Sequence, residues 1–329
     1  MRRASFIAGA AALALPLGAR AQDEFDPATS AQTQSLRVLL GAGDARARPG
    51  GGFTFDGRPY RGTFSRLTNG EIVNQLSLEE YLYSVVTREM SPSWPQAALA
   101  AQAICARTYV LERSSPRRAY DVVPSELDQV YSGSTTESPA GRTAVDATAG
   151  TVIQFGGAFA QIAYSSCCGG HTEASSDAWG GTPISYLGGV ACPYCTASPN
   201  YRWQRALSLA TVAQHFVTET APYGALTGLY VGAVDGSGRA KTVELRCERG
   251  SAFVAGSAFR LRIGARVIPS LLISRIDVAP DPANVTLEGG GLGHGVGLCQ
   301  WGARGMALQG ATSQQILGFY FPGTSIGND

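Results

Sequence analysis

The sequence of 329 residues has almost no net charge, because 26 basic and 25 acidic side chains leave a formal +1. It therefore lacks the basic footprint of a general nucleic-acid binder, and no nucleic-acid partner is expected. An apolar run of the roughly 20 residues needed to cross a bilayer is also missing. The N-terminal stretch from Phe6 to Leu17 is shorter than that. No repeat of fixed period and no extended low-complexity linker is present, which excludes solenoids and tethered arrays. The glycine-dense run Gly289–Gly297 satisfies G-x-G-x-x-G in no frame and opens no strand-helix unit. A dinucleotide loop is excluded on that ground. What is present is an ordinary globular composition, 44% hydrophobic. At roughly 150 residues per domain it allows one large or two modest domains.

Arg2 and Arg3, the apolar run after them, and the small-x-small Ala19-Arg20-Ala21 before Gln22 read as a signal peptide over residues 1–21. Removing Arg2, Arg3 and Arg20 leaves 23 basic against 25 acidic side chains, a charge of −2. The expectation is an exported protein of the periplasm or cell envelope. The arginine pair followed by Ser5-Phe6 leaves twin-arginine and general secretion both open.

The pattern along the chain predicts an α+β fold. Leu36–Leu40 reads as a buried strand, and Gly51–Asn74 as small antiparallel strands between glycine turns. Ser77-Leu78-Glu79-Glu80 is a capping box opening a helix to about Met90. Ser93-Trp94-Pro95-Gln96 reads as a second capping box before an Ala-rich helix to about Arg113. Thr151–Phe155 and Ala158–Tyr164 flank Gly156-Gly157, a hairpin signal. Ser208–Phe216 reads as a short helix, and 228–267 as strands broken at Gly250 and Gly256. Short helices are expected at Gln300–Gln309 and Ser313–Phe319. The predicted organisation is a core from 22–200 and 281–329 with a two-helix hairpin, and a mostly β inserted subdomain over 201–280.

Glu89 stands out because it shares a helical stripe with Leu82, Val85 and Val86. A carboxylate on an apolar face is desolvated unless paired, which raises its pKa toward what a general acid requires. A helix-end glutamate paired with Arg88 or Arg107 is the plainer alternative. Arg107, on a small-residue stripe of the second helix, either orients Glu89 or a substrate oxygen, or forms a structural salt bridge. Tyr109 reads as core with a hydroxyl that needs a partner.

Cys168-Gly-Gly-His171 and Cys192-Pro-Tyr-Cys195 are two short hooks. Cys168, His171, Cys192 and Cys195 together make a set that closes a structural, tetrahedral Zn2+ site. Cys167 is an alternative to Cys168, and a disulfide among these cysteines is the competing reading in an exported protein. Four protein ligands leave no open position, so a zinc amidase or protease is excluded. His294, within the glycine run, reads as either a presented cleft residue or a structural one. His215 reads as a surface or core residue, and Cys105, Cys247 and Cys299 as isolated small hydrophobes.

Three stretches carry a resemblance. They are Ser77–Met90 followed by Pro95–Tyr109, then Tyr164–Glu173 with Trp179-Gly180, and Gly293–Ala303 through Gly305-Met-Ala307 to Tyr320–Thr324. In this order they resemble the stage II sporulation protein D/amidase enhancer LytB family, over nearly the whole mature chain. The resemblance implies a peptidoglycan lytic transglycosylase with its catalytic glutamate at Glu89 and its functionally important arginine at Arg107. His294, Tyr109 and Gln300 are then candidates for contacting substrate. Members often carry Phe-His-Ser where this chain has Tyr164-Ser165-Ser166, so one histidine is missing, and the Cys168, His171, Cys192, Cys195 set is a rearranged zinc site in the same neighbourhood. Implied partners are peptidoglycan glycan strands and an N-acetylmuramoyl-L-alanine amidase. The amidase-enhancer branch gives the alternative of a non-enzymic glycan-binding modulator.

Overall fold

The computed structural model describes residues 35–125, 127–278 and 284–328, so the expected signal peptide lies outside the described residues. The fold is α+β and its described residues divide into two compact units, one from 35–163 together with 306–328, the other from Tyr164–Gly305.

The first unit opens with short strands between glycine turns. They are β1 (Ser35–Gly41), β2 (Ala45–Ala47), β3 (Phe53–Phe55), β4 (Arg58–Tyr60), β5 (Thr63–Arg66) and β6 (Ile72–Ser77). Two antiparallel sheets result, ordered β1-β6-β5 and β2-β3-β4. Ser77 ends β6 and caps α1 (Leu78–Glu89). Its Oγ accepts the Glu80 N–H at 3.3 Å while the Glu80 carboxylate accepts the Ser77 N–H at 3.4 Å. Met90 is extended and ends the helix.

The second helix, α2 (Gln96–Arg113), starts on a different device from the one expected. Pro95 is the N-cap, and its carbonyl accepts the Ala98 and Leu99 N–H groups with no side-chain cap. Ser93 instead bonds Ser91. Residues 101–111 of α2 are buried on every side, which an alanine-rich surface permits because small side chains let neighbours approach closely. Those neighbours include α1, α3 (Pro139–Asp146) and β7 (Thr151–Phe155). Gly156 and Gly157 both have positive φ, turning β7 into β8 (Ala158–Phe159), a shorter partner than the sequence suggested.

The second unit begins with β9 (Tyr164–Ser165) and α4 (Ser175–Trp179), followed by β10 (Trp203–Ser208), α5 (Leu209–His215), α6 (Val217–Thr220) and β11 (Leu226–Val231). It continues through β12 (Thr242–Cys247), β13 (Gly250–Ala255), α7 (Gly256–Ile263), β14 (Ile273–Val278) and β15 (Asn284–Gly289). Val243 and Leu245 of β12 point inward between outward Glu244 and Arg246, the period-two pattern of a half-buried strand. The strands of 201–280 share one core with β15, since Val285 and Leu287 pack with Trp203, Phe216, Leu229 and Phe259. Gly256, read as a break, is the first residue of α7. A Cβ there would lie 2.0 Å from the Ala240 carbonyl oxygen, so the glycine serves close approach rather than a turn.

β16 (Leu298–Cys299) pairs parallel with β9 and leads into α8 (Gln300–Leu308), close to the expected span. The chain then returns to the first unit as α9 (Ser313–Tyr320) and β17 (Ser325–Asn328), which pairs with β7.

Candidate functional site

In the first unit, Leu82, Val85 and Val86 of α1 are fully buried, and Glu89 follows them half-buried in the last turn. Glu89 Oε1 accepts the Val130 N–H at 3.3 Å. Val130 belongs to an irregular segment strapped onto α2. The Tyr109 hydroxyl donates to Asp128 Oδ1 at 3.0 Å, Asp128 Oδ2 accepts the Val123 N–H at 2.8 Å, and Gln129 Nε2 donates to the Ala106 carbonyl at 3.1 Å. Tyr109 thus has the partner its burial requires, and Arg113 lies over its ring at 3.8 Å. Between these groups, the fully buried Tyr81 hydroxyl has no hydrogen-bond partner among the described residues. Burial first, then the fields of Asp128, Tyr109 and Glu89, push its pKa well up, so it stays a protonated donor. Asp128 is a carboxylate that the sequence reading passed over, because its partner Tyr109 sits nineteen residues earlier.

Arg107 is fully buried and does not sit beside Glu89. Its guanidinium grips Glu79 in two bonds, Nε to Oε1 at 2.8 Å and Nη2 to Oε2 at 2.6 Å. Nη1 donates to the Thr151 carbonyl at 3.0 Å and Nη2 also to that of Val145 at 3.4 Å. Glu79 lies ten residues before Glu89 on the same helix, about 15 Å along its axis. Of the two roles read for Arg107, the structure places it in the salt bridge, joining the first turn of α1 to α2, α3 and β7.

In the second unit the two hooks converge. The ligand sulfurs of Cys168, Cys192, Cys195 and Cys299 lie within 4.8 Å of one another, all buried. Cys168 Sγ is 3.6 Å from Cys195 Sγ. A tetrahedral Zn2+ with Zn–S bonds of about 2.3 Å would hold its sulfurs about 3.8 Å apart, so the donor set fits that ion. Three of the expected ligands are in this group. His171 is not, since neither ring nitrogen falls within the sulfur group; its Nδ1 is engaged with the Thr172 carbonyl at 2.6 Å. Cys299, read as an isolated small hydrophobe, stands fourth. It comes 104 positions after Cys195, so no local spacing announces it. The crowded thiols split their titration: hydrogen bonds from Cys195 and Cys299 hold Cys167 down to about 3, whereas neighbouring Cys192 and Cys195 push Cys168 well up. Buried thiols this close cannot all ionise without a counter-charge, which a divalent cation supplies.

The glycine run packs directly on these hooks. Cβ atoms at Gly291, Gly293 and Gly295 would meet the Cys167 carbonyl oxygen, Ser165 Cβ and the Arg239 guanidinium at 2.8, 2.8 and 2.2 Å. His294 is a half-buried residue of this run, its ring 5.1 Å from the Trp179 ring. Its Nδ1 accepts the Val296 N–H at 3.0 Å, and burial lowers its pKa to about 4, so the ring is neutral near pH 7. Behind the run lies Glu173, 4% exposed and 3.4 Å from buried Arg239. Burial raises Glu173 to about 8, partly offset by that arginine. Gln300, at the start of α8, is buried, and His215 is exposed.

The family model described as stage II sporulation protein matches residues 67–155, the stretch holding α1, α2 and Glu89. An uncharacterised protein of Brachyspira hyodysenteriae is 32% identical over 283 residues, spanning 84% of this chain and 74% of its own length. The amidase enhancer of Bacillus subtilis is 30% identical over 294 residues, covering 74% of this chain but 40% of the enhancer. Stage II sporulation protein D of the same organism is 26% identical over 276 residues, spanning 79% of this chain and 77% of that protein. The chain belongs to the stage II sporulation protein D/amidase enhancer family. Its family-matched segment ends before the cysteine cluster, so Cys168, Cys192, Cys195 and Cys299 stand on their geometry alone. No helix among the described residues is long and apolar enough to cross a membrane.

Proposed function

We propose that the protein is an exported peptidoglycan lytic transglycosylase of the cell envelope, cleaving between N-acetylmuramic acid and N-acetylglucosamine with Glu89 as its single general acid and base. The observation that carries this reading is the placement of Glu89. It ends the buried stripe of α1 half-accessible, is held by the Val130 N–H, and lies inside the family-matched segment.

In the proposed reaction, protonated Glu89 donates to the glycosidic oxygen as the muramyl C1–O bond breaks. The resulting carboxylate takes the proton of the muramyl C6 hydroxyl, and O6 closes on C1 to form the 1,6-anhydro ring. Glu89 ends protonated as it began, and no water is consumed. Hydrolysis would need a second carboxylate as base or nucleophile, whereas here the sugar supplies the nucleophile. Arg107 is structural, holding the first turn of α1 through Glu79. Of the substrate-contact candidates His294, Tyr109 and Gln300, His294 is half-buried, while Tyr109 and Gln300 are buried and act by holding their segments. The cysteine cluster would hold a structural Zn2+ with every position filled by protein, supplying local order and no hydrolytic step. A disulfide within the cluster is the competing arrangement.

The 30% identity to an amidase enhancer favours a second reading, a glycan-binding modulator of an N-acetylmuramoyl-L-alanine amidase. Muropeptide analysis separates the two. Purified mature protein acting on glycan strands stripped of stem peptides yields anhydro-muropeptides if it is a transglycosylase. A pure enhancer releases none and raises amidase turnover on intact peptidoglycan.

A further inference from the structure

Four features of the second unit meet at Cys299. First, Cys299 Sγ accepts two backbone N–H bonds, from Cys168 at 3.2 Å and from Gly302 in the first turn of α8 at 3.3 Å. Backbone N–H groups that donate to a sulfur fix its direction, as outer-shell bonds fix a metal ligand. Second, its sulfur is grouped with those of Cys168, Cys192 and Cys195, three residues from the two hooks. Third, Cys299 directly follows the glycine run, in a strand that pairs with β9 just before the first hook. Fourth, the run itself is sewn to that hook by backbone. Cys167 and Leu292 exchange N–H···O bonds of 3.1 and 2.8 Å, and Trp301 N–H donates to the Ser166 carbonyl at 3.0 Å.

Further backbone bonds tie Gly290 to Leu272, Gly291 to Asn200, Gly293 to Pro269 and Gly295 to Glu173, and all of them must hold a segment that is costly to order. Six of its nine residues over 289–297 need either positive φ or the absence of a Cβ, and glycine segments lose the most conformational entropy on ordering. A covalent-strength tether at the C-terminal end of the run removes much of that freedom, as closing a loop does.

We propose that one Zn2+ is bound by Cys168, Cys192, Cys195 and Cys299, and that this ion is the pin that fixes the His294 run in register on the two hooks. This rests on the structural-zinc reading above and adds the identity of the fourth ligand and the ion's task. Cys167 is not a ligand. Its backbone holds Leu292, and its sulfur packs among the others. His171 is not a ligand either, because its ring lies outside the group of four sulfurs. The ion therefore joins segments drawn from three distant parts of the unit and sets where the His294 and Trp179 rings stand.

The test uses the full mature chain and needs no substrate. Zinc content and zinc K-edge absorption fine structure on purified protein should give one ion per chain with four sulfurs at about 2.3 Å and no nitrogen. Cys299→Ser should weaken zinc retention against a chelator at least about a hundredfold, beyond what loss of an outer-shell contact costs. His171→Ala and Cys167→Ser should both retain the ion. Amide hydrogen exchange should then rise in peptides covering 289–297 when zinc is stripped from the wild type, while β12 and β13 stay protected. That last measurement needs no variant, so a misfolded Cys299→Ser protein does not block the test. A three-sulfur, one-nitrogen shell with zinc lost in His171→Ala overturns the ligand assignment. Unchanged exchange over 289–297 after zinc removal overturns the pin. Wild-type protein without zinc, whose melting responds to reductant and not to chelator, overturns the zinc reading itself. None of these results bears on Glu89.

Discussion

Replacing Arg107 by methionine keeps an unbranched stem and removes the guanidinium charge at a fully buried position. Four contacts vanish: two to the Glu79 carboxylate and one each to the Thr151 and Val145 carbonyls. Glu79, whose side chain is 14% exposed, is left as a largely buried charge without its partner. Breaking one side of such a pair costs about 3–5 kcal/mol. Against a domain stability of roughly 5–15 kcal/mol, this lowers Tm by about 6–20 °C for a unit of this size. The informative companion is the double variant Glu79→Leu with Arg107→Met, since an apolar pair of similar volume often restores stability. Urea unfolding of the four proteins in the cycle should give a coupling of at least about 2 kcal/mol. Well below its transition, Arg107→Met should keep most of its glycan cleavage per folded molecule, with an unaltered pH profile. A variant with the wild-type unfolding midpoint that has nevertheless lost cleavage a hundredfold would refute the structural role and place Arg107 at the reacting atoms.

Glu89→Gln should lower anhydro-muropeptide release at least about a hundredfold while leaving Tm unchanged, the signature of a lost proton donor; near-normal release from the folded variant would remove Glu89 from the chemistry. Tyr109→Phe frees Asp128 and should cost about 1–2 kcal/mol and loosen the segment that brings the Val130 N–H to Glu89, so cleavage should fall more than stability accounts for; unchanged kinetics would show that the strap does not position the acid. Glu173 gives a pH dependence of defined sign. Its pKa rises from 4.5 to about 8 on folding, so the native state holds a proton the unfolded chain has lost. The stabilisation is complete below about 4.5 and is lost as pH rises to about 8, with a slope of at most about 1.4 kcal/mol per pH unit. Glu173→Gln should flatten that decline in a series of thermal melts, and an unchanged slope would remove Glu173 as its source.

What could be read before the fold was known follows from how local each determinant is. The start of α1 was legible because Ser77 and Glu80 lie within one turn, and its buried face because helical spacing repeats within twelve residues. The start of α2 was misread because Ser93 fits the same formula, while the actual cap is the Pro95 carbonyl, which has no side-chain signature. The glycine run was legible as a place of close backbone approach, and Gly291, Gly293 and Gly295 make such approaches. The partner of Arg107 was illegible, since Glu79 lies 28 residues earlier and only the packing of α1 on α2 brings the two together. Cys299 was illegible for the same reason at greater range. Two hooks of close spacing can be seen in a sequence, but a ligand delivered by tertiary closure cannot.

The burial of α2 on all sides has a consequence for how the chain can drift over generations. Ala98, Ala101, Ala103 and Ala106 are all at 0% exposure, so their β-carbons already touch neighbours and added methylenes would cost about 1–3 kcal/mol each. Exchange there is confined by volume rather than by polarity, to residues as small as glycine, serine or cysteine, and the last of these already stands at Cys105. On the outer face of β13, by contrast, Phe253 is 64% exposed and nothing limits what replaces it by size. Divergence within the family should therefore be slow along this one helix and fast across that sheet face. Two homologues will keep the same helix packing long after their sheet surfaces have become unrecognisable to each other.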